Sequence, residues 1–258
     1  MIISSSHVVA MTGAGISVES GIPAFRGREG IWTRHGTPAA DGYSQFLEDP
    51  EAFWARQHLG RAEPWIAELR NALDAATPNP GHIALAELER AGALRSIVTQ
   101  NIDGLHQDAG SRSVVEIHGS RYKLRCVDCG IRTPREELFM AQAPPPCESC
   151  GGRVKFDSVL FGEPIPPEAL EASMAAANQA DCVLVIGTSA TVRPAGGLPR
   201  IAQSNGAKLI EVNTSETALS KSCDIVLMGK AAEMLPQLAG AVTAMLDAAV
   251  KAAADTSA

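Results

Sequence analysis

Six short apolar runs, each followed closely by glycine or polar residues, constrain the fold of this chain more than any other feature of its sequence. They span residues 8–11, 94–99, 114–117, 182–186, 209–212 and 224–228. Their apolar residues follow one another instead of alternating with polar ones, which is typical of parallel strands covered on both faces. Helical patterns at residues 82–91, 169–180 and 235–254 lie between the runs. This order predicts an α/β fold with a doubly wound parallel sheet.

The segments that follow the apolar runs carry the polar residues of interest. In a doubly wound sheet, ligands bind beyond the carboxyl ends of the strands. The segments that end the runs include Gly13-Ala14-Gly15, Gln100-Asn101-Ile102-Asp103, His118-Gly119, Gly187-Thr188-Ser189 and Asn213-Thr214-Ser215. We therefore expect these residues to form one surface.

Four cysteines have the spacing of a metal site. Cys126, Cys129, Cys147 and Cys150 form the pattern C-x2-C-x17-C-x2-C, in which two knuckles supply the four thiolates of a tetrahedral zinc ion. Four sulfur ligands leave zinc no open position, so the ion is expected to be structural. The alternative is four ordinary buried thiols. The other two cysteines, at positions 182 and 223, are expected to pack in the core.

The length of 258 residues suits a single large domain with insertions. Residues 1–30, 80–120 and 157–258 are predicted to form a large lobe. Residues 31–79, with two helical patterns, and residues 121–156, with the four cysteines, interrupt the strand–helix alternation. We interpret both as insertions that build a smaller second lobe.

The charge balance excludes some classes of partner. Lys and Arg number 22 against 29 Asp and Glu, for a net charge of −7, so the chain lacks the basic field that binds nucleic acid. A lysine-bearing protein tail would meet little repulsion. No apolar run reaches the roughly 18 residues of a membrane span, and residues 1–7 do not resemble a signal peptide. We expect a cytoplasmic protein, in which thiols stay reduced, and a monomer.

Gly13-Ala14-Gly15 is a candidate phosphate loop, because glycines let backbone N–H groups approach a diphosphate. Val18 stands where G-x-G-x-x-G has its third glycine, and no second strand ends in the acidic residue that dehydrogenases use. A dehydrogenase is therefore disfavoured. The alternative is a tight turn without a ligand.

Amide, carboxylate and imidazole groups follow two further runs. Gln100, Asn101 and Asp103 can recognise a carboxamide or a ribose hydroxyl. His118 is followed by Gly119, which leaves room beside the imidazole ring. A single histidine is more often structural than catalytic, so His118 alone leaves both readings open.

Taken together, these motifs resemble the sirtuins, the NAD-dependent protein-lysine deacylases, of bacterial type. The matching blocks run in family order from about residue 8 to residue 231. They are Gly13-Ala14-Gly15-Ile16-Ser17, Ser20-Gly21-Ile22-Pro23-Ala24-Phe25-Arg26-Gly27, Thr99-Gln100-Asn101-Ile102-Asp103, His118-Gly119, the four cysteines, Phe161-Gly162-Glu163, Gly187-Thr188-Ser189 and Val212-Asn213.

The resemblance implies a Rossmann-like large lobe, a smaller zinc-ribbon and helical lobe, and a cleft where NAD, as co-substrate, meets an acyl-lysine protein. It implies that NAD contacts Gly13, Ala14, Gly15, Ile16, Phe25, Arg26, Trp32, Gln100, Asn101, Ile102, Asp103, Gly187, Thr188, Ser189, Asn213, Thr214, Ser215 and Ala231. The acylated peptide is expected to add as a strand between residues 159–163 and 191–196, contacting Val159, Phe161, Gly162, Glu163 and Val192.

The resemblance also implies catalytic roles. His118 acts as general base on a ribose hydroxyl, Asn101 orients the ribose and a water, and Asp103 holds the carboxamide. Phe25 covers the reacting carbon once nicotinamide has left. The expected products are free lysine, nicotinamide and O-acyl-ADP-ribose.

Two features of the sequence, one at a single position and one at a pair of positions, differ from those of other family members. Ala24 replaces the common aspartate of the Gly-Ile-Pro-Asp-Phe-Arg block. Members that remove acidic acyl groups carry a Tyr-x-x-Arg pair, and the positions that match this pair here are Gln57 and Gly60. Because the matching arginine is missing, neutral acyl groups are the expected substrates. If the match were shifted so that Arg56 or Arg61 took the place of that arginine, acidic acyl groups would be expected instead. Two other functions remain open: a mono-ADP-ribosyltransferase or NAD hydrolase, and a non-catalytic NAD sensor.

Overall fold

A computed structural model describes residues 1–27, 30–58, 64–135 and 146–256. Within these ranges the strands are β1 (Val8–Thr12), β2 (Ser96–Thr99), β3 (Val114–Glu116), β4 (Lys123–Cys126), β5 (Arg132–Pro134), β6 (Val154–Phe156), β7 (Cys182–Ile186), β8 (Lys208–Asn213) and β9 (Ile225–Met228). The helices are α1 (Ile31–His35), α2 (Gly42–Glu48), α3 (Pro50–His58), α4 (Pro64–Ala75), α5 (Pro80–Arg90), α6 (Leu105–Asp108), α7 (Pro167–Gln179), α8 (Leu198–Ser204) and α9 (Ala231–Thr256).

The main sheet is parallel and has the order β3-β2-β1-β7-β8-β9. All six predicted runs contribute a strand to it, which confirms the predicted fold class. From β1 the sheet extends through β2 to β3 on one side, and through β7 and β8 to β9 on the other. The strand order therefore reverses between β1 and β7, and such a reversal opens a crevice at the carboxyl ends of the two strands.

Both faces of the main sheet are covered by helices. Side chains alternate along β1, so that Val8 and Ala10 pack on one face and Val9 and Met11 on the other. Helices α5 and α9 cover the first face, while α7 and α8 cover the second. This double cover explains why the strands are apolar throughout instead of alternating.

Asn79 joins the loop after β1 to the start of α5. Its side chain accepts a hydrogen bond from Gly81 N at 2.9 Å and so caps the helix, with Pro80 at the first helical position. Its amide nitrogen donates to Ile16 O at 2.8 Å. The cap therefore also holds the loop that leads out of the central strand.

A second, smaller cluster of apolar residues lies apart from the two cores of the main sheet. Strands β5, β4 and β6 form an antiparallel sheet, on which Phe46 of α2 and Phe53 and Trp54 of α3 pack. Trp54 Nε1 donates to Val154 O at 2.9 Å. This separate core supports our proposal of a small lobe made from the insertions at 31–79 and 121–156; residues 59–63 and 136–145 of these insertions lie outside the described ranges.

Among the helices that the structure describes, none combines the length and the apolar character needed to cross a membrane.

Candidate active site

A cavity of about 840 Å³ lies at the carboxyl ends of the main-sheet strands and extends beneath the small lobe. Its lining includes nearly every residue predicted to bind a ligand or act on it: Gly13, Ala14, Gly15, Phe25, Arg26, Trp32, Gln100, Asn101, Ile102, Asp103, His118, Val159, Phe161, Gly162, Glu163, Gly187, Thr188, Ser189, Val192, Asn213, Thr214, Ser215 and Ala231.

Ile16 is the exception among these predictions. Its side chain is fully buried in the core shared by the main sheet, α5 and α9. It packs there because the short helix Ala14–Ser20 turns it away from the cavity. Its carbonyl oxygen accepts a hydrogen bond from Asn79 Nδ2 at 2.8 Å, and its contact with NAD stays a prediction.

Two glycine loops meet at the crevice between β1 and β7. Gly13 N donates to Ile186 O at 3.0 Å, and Gly15 N donates to Gly187 O at 2.8 Å. A Cβ on Gly15 would lie 2.6 Å from Gly187 Cα, closer than packed carbon atoms approach. The glycines of the predicted phosphate loop are thus required by the contact between the loops.

Gly15→Ala should therefore lower the free energy of unfolding by about 1–3 kcal/mol, the usual cost of overpacking. Gly240→Ala is a matched control, because Gly240 lies on the exposed face of α9 with open space around it. We expect it to raise stability by up to about 1 kcal/mol through helix propensity. Urea unfolding measures both, and an unchanged Gly15→Ala protein would contradict the close packing of the loops.

Asn101 and Asp103 are joined by a residue without a predicted role, Ser17. Asn101 Nδ2 donates to Ser17 Oγ at 3.1 Å, and Ser17 Oγ donates to Asp103 Oδ2 at 2.7 Å. Asp103 Oδ1 accepts from Leu105 N at 3.1 Å. Burial raises the pKa of the Asp103 carboxyl, and the hydrogen bond from Ser17 opposes the rise. The network fixes both side chains at the wall of the cavity.

His118 has a defined tautomer. Its Nδ1 lies 3.0 Å from Gln100 O, and because a carbonyl oxygen only accepts, Nδ1 carries the proton. Nε2 is then left as the acceptor. Burial lowers the pKa of the imidazole, with the hydrogen bond to Gln100 opposing the shift. The ring is therefore neutral at pH 7 and able to take up a proton.

Aromatic rings and one guanidinium group form another wall. The Trp32 ring lies 5.1 Å from the Phe25 ring and 5.6 Å from the Phe161 ring, centroid to centroid. Arg26 Cζ stands 4.9 Å from the Trp32 ring, and Arg26 Nη1 donates to Thr191 Oγ1 at 2.7 Å. The three rings and the guanidinium group all line the cavity.

Behind the site, two histidines that the sequence did not single out form a buried pair. The rings of His82 and His106 lie 4.9 Å apart, and Thr12 Oγ1 lies 2.9 Å from His106 Nε2. Burial lowers the pKa of His82 to about 4 and that of His106 to about 3. Both imidazole rings are therefore neutral at physiological pH. They contact Thr12 at the end of β1 and Ser17 in the loop that follows this strand.

The four predicted metal ligands come together in the small lobe. Their Sγ atoms all lie within 4.8 Å of one another, with Cys126–Cys150 at 3.6 Å and Cys129–Cys147 at 3.7 Å. Sulfur atoms around tetrahedral zinc, with Zn–S bonds of about 2.3 Å, lie about 3.8 Å apart. The cluster therefore fits a structural zinc ion, and none of its four members lines the cavity.

Comparison with known proteins decides the family. Residues 13–194 match the Sir2 family. The chain belongs to the Sir2 family, the sirtuins. It is 43% identical over 242 residues to NAD-dependent protein deacylase 2 of Pyrobaculum aerophilum, covering 92% of each chain.

Solved sirtuins share the fold. A variant of a Sir2 homologue in complex with ADP-ribose is 39% identical, with a TM-score of 0.81 and 95% of each chain covered. A Sir2 variant in complex with a deacetylated p53 peptide and 3′-O-acetyl ADP-ribose is 33% identical, with a TM-score of 0.72 and coverage of 91% of this chain and 92% of the other.

Proposed function

We infer that this sirtuin is an NAD-dependent protein deacylase. The observation that carries the inference is the single cavity in which the glycine loops, the Asn101–Ser17–Asp103 network and the neutral His118 meet. A dinucleotide and a peptide side chain need such an arrangement, with donors for phosphates at one end and a base at the other. Family membership and the deacylase names of relatives point to the same activity.

NAD is the co-substrate, and we assign its parts to the cavity walls. We assign the diphosphate to the segment Gly187-Thr188-Ser189. Gly13 and Gly15, whose N–H groups already donate to Ile186 O and Gly187 O, contribute by allowing close approach and not by donating to phosphate. Asn213 and the residues after it contact the adenosine. Asn213 Nδ2 donates to Thr188 O at 3.1 Å, which ties these two segments together. Asp103, placed beside Ser17, faces the nicotinamide carboxamide. The cysteine cluster holds zinc, which stabilises the small lobe.

The chemistry that we propose for the chain follows from the state of His118. The acyl oxygen of the substrate attacks the ribose carbon as its bond to cationic nicotinamide breaks, giving an alkylimidate. His118 Nε2 then takes the proton of a ribose hydroxyl, whose oxygen attacks the imidate carbon. Asn101 orients the ribose and a water, and the Phe25–Trp32 wall limits the entry of other water. Addition of water and loss of the amine give lysine and O-acyl-ADP-ribose.

Two segments, residues 158–163 and 191–194, both line the cavity. We propose that the acylated peptide lies between them as an added strand. Val159 N donates to His118 O at 2.9 Å, so the first segment is joined directly to the histidine. Main-chain pairing of this kind tolerates many sequences, and we expect loose peptide selectivity.

Neutral acyl groups are the proposed substrates, and acetyl-lysine is the principal one. The structure does not describe the side chains at the positions matched to the Tyr-x-x-Arg pair or beside them, which are Arg56, Gln57, Gly60 and Arg61. Two guanidinium groups line the described cavity: that of Arg26 contacts Thr191 and Trp32, and that of Arg193, an exposed residue, lies beside Gly197. We expect kcat/KM for acetyl-lysine peptide to exceed that for the succinyl analogue by about tenfold or more, as for an unpaired carboxylate. A preference for succinyl would overturn this assignment.

Incubation with NAD and a matched set of acyl-lysine peptides tests the function, with products identified by mass. The expected products are deacylated peptide, nicotinamide and O-acyl-ADP-ribose in equal amounts. Free ADP-ribose formed without acyl-lysine would instead indicate an NAD hydrolase, and ADP-ribosylated protein a mono-ADP-ribosyltransferase. NAD binding without release of nicotinamide would indicate a sensor.

The proposal includes a monomer that acts in the cytoplasm on protein or peptide, without nucleic acid or a membrane as partner. The net charge of −7 supports the absence of a nucleic-acid partner. A thiolate zinc site supports a reducing compartment. Light scattering of the purified protein tests the oligomeric state.

A further inference from the structure

One buried cation has no part in the chemistry described above. Lys155 lies in the middle of β6 with none of its surface exposed. Its Nζ donates to Phe156 O at 2.8 Å and to Ser158 O at 2.7 Å, and lies 2.9 Å from Glu163 Oε2. An ammonium group has three N–H donors, and each has an oxygen to bind. Lysine is almost never fully buried without such a set of partners.

The partners of Lys155 all belong to the segment that leads from β6 along the cavity. Glu163 Oε2 also accepts from Leu160 N at 2.8 Å, and Glu163 N donates to Leu160 O at 3.0 Å. The Glu163 side chain is only 2% exposed. Although Glu163 was predicted to contact substrate, its carboxylate is thus committed to holding its own loop.

The ion pairs and hydrogen bonds around Glu163 extend to the small lobe and to the turn after His118. Arg125 of β4 binds Glu163 Oε1 at 2.6 Å and Asp157 Oδ1 at 2.9 Å. Asp157 Oδ2 in turn accepts from Ser120 N at 3.2 Å. The two carboxylates are therefore shared between strands of the small sheet and segments that line the cavity.

We propose that Lys155 is a positioning residue for substrate: it fixes residues 156–163 in the shape that receives the acylated peptide. The inference rests on the proposed deacylase function. Within the described residues, the hydrogen bonds and the ion pair of the Lys155 ammonium all go to residues 156–163, and none goes to the glycine loops that we assign to NAD. Its loss should therefore change peptide binding and leave NAD binding nearly intact, whereas a general loss of folding would affect both.

Lys155→Met keeps the length of the side chain and removes its charge. We expect the KM for acetyl-lysine peptide to rise by about tenfold or more, the scale of a lost hydrogen bond to a charged group, while the KM for NAD stays within about twofold. Lys123→Met is the matched control. Lys123 lies on the neighbouring strand, has 46% of its side chain exposed and pairs with Glu116 at 3.3 Å, so its loss should alter neither KM.

Two further measurements do not depend on the folding of Lys155→Met. Lys155→Arg keeps the cation and should restore part of the peptide affinity, although a planar guanidinium cannot copy three diverging bonds. In the wild-type protein, burial lowers the pKa of the Lys155 ammonium to about 8, while Glu163 and Asp157 raise it and Arg125 lowers it. The KM for a peptide without titratable groups should therefore rise above about pH 8.

The outcomes separate the two proposals. Turnover of acetyl peptide by the wild-type protein tests the deacylase function, and the ratio of the two KM values among the variants tests the role of Lys155. If wild-type protein turns over and Lys155→Met raises both KM values alike, or neither, Lys155 does not position the peptide segment. A peptide KM that stays level between pH 7 and 9 in the wild type would overturn the proposal as well.

Discussion

His118→Ala should lower the rate of acyl transfer by about 100-fold or more, the usual contribution of a general base. The reason is geometric as well as chemical. His118 Nδ1 is fixed by Gln100 O, which leaves Nε2 as the acceptor of a ring that lines the cavity. Exchange of labelled nicotinamide into NAD should survive much better, since breaking the glycosidic bond requires no base. Single-turnover formation of O-acyl-ADP-ribose and the exchange reaction measure the two steps.

Two controls accompany this experiment. His118→Asn retains a donor near the Gln100 carbonyl without a base, and should be as impaired as His118→Ala. His7→Ala removes an imidazole at the opposite end of the sheet and should leave the rate unchanged. If His118→Ala transferred the acyl group at the parental rate, His118 would not be the base.

The lowered pKa of His118 gives this base a characteristic pH dependence. A folded-state pKa below the usual value of about 6.5 means that the neutral form persists to lower pH. Acyl transfer should therefore be level around pH 7 and should decline only as pH falls through the lowered pKa. A half-maximal rate above pH 7 would contradict the burial of the ring.

Cys129→Ser should abolish zinc binding and with it the folding of the small lobe. Structural zinc contributes about 10 kcal/mol or more to small thiolate sites, which is comparable with the whole stability of a domain. The loss should also abolish deacylation, because β4 and β6 anchor the segment that lines the cavity. Metal analysis should give one zinc per wild-type chain and none in the variant.

Cys223→Ser is the matched control for the zinc site. Cys223 lies outside the cysteine cluster, half-buried, with its Sγ 3.5 Å from Leu219 O. The substitution should retain the zinc and the activity. Full activity and folding of Cys129→Ser, without metal, would show that the cluster is not a structural zinc site.

The fold and most of the cavity lining could be predicted from local sequence. Each strand of the main sheet is a continuous apolar run, and in a parallel sheet the residues after such runs meet at one edge, which brings Gln100, His118 and Gly187 together. The four cysteines could be predicted for a similar reason, because the spacing of each knuckle defines its local geometry.

The connections between these residues could not be predicted, because they join distant parts of the chain. Ser17 binds Asp103 across 86 positions, and His82 meets His106 only after folding. Likewise, the sequence does not indicate that the Glu163 carboxylate points toward Arg125 and Lys155. Side-chain direction within a recognised motif depends on partners elsewhere, and this is also why Ile16 lies in the core.

The bond that orients His118 comes from a main-chain oxygen, that of Gln100, whose side-chain amide instead donates to Thr188 Oγ1 at 2.9 Å. Any amino acid at position 100 would supply the same oxygen. The orientation of the imidazole therefore depends on the path of the backbone at residue 100, and a substitution of the side chain at that position leaves the hydrogen bond in place. The Gln100 side chain can therefore vary, and with it the hydrogen bond to Thr188, while the bond that orients the imidazole is retained.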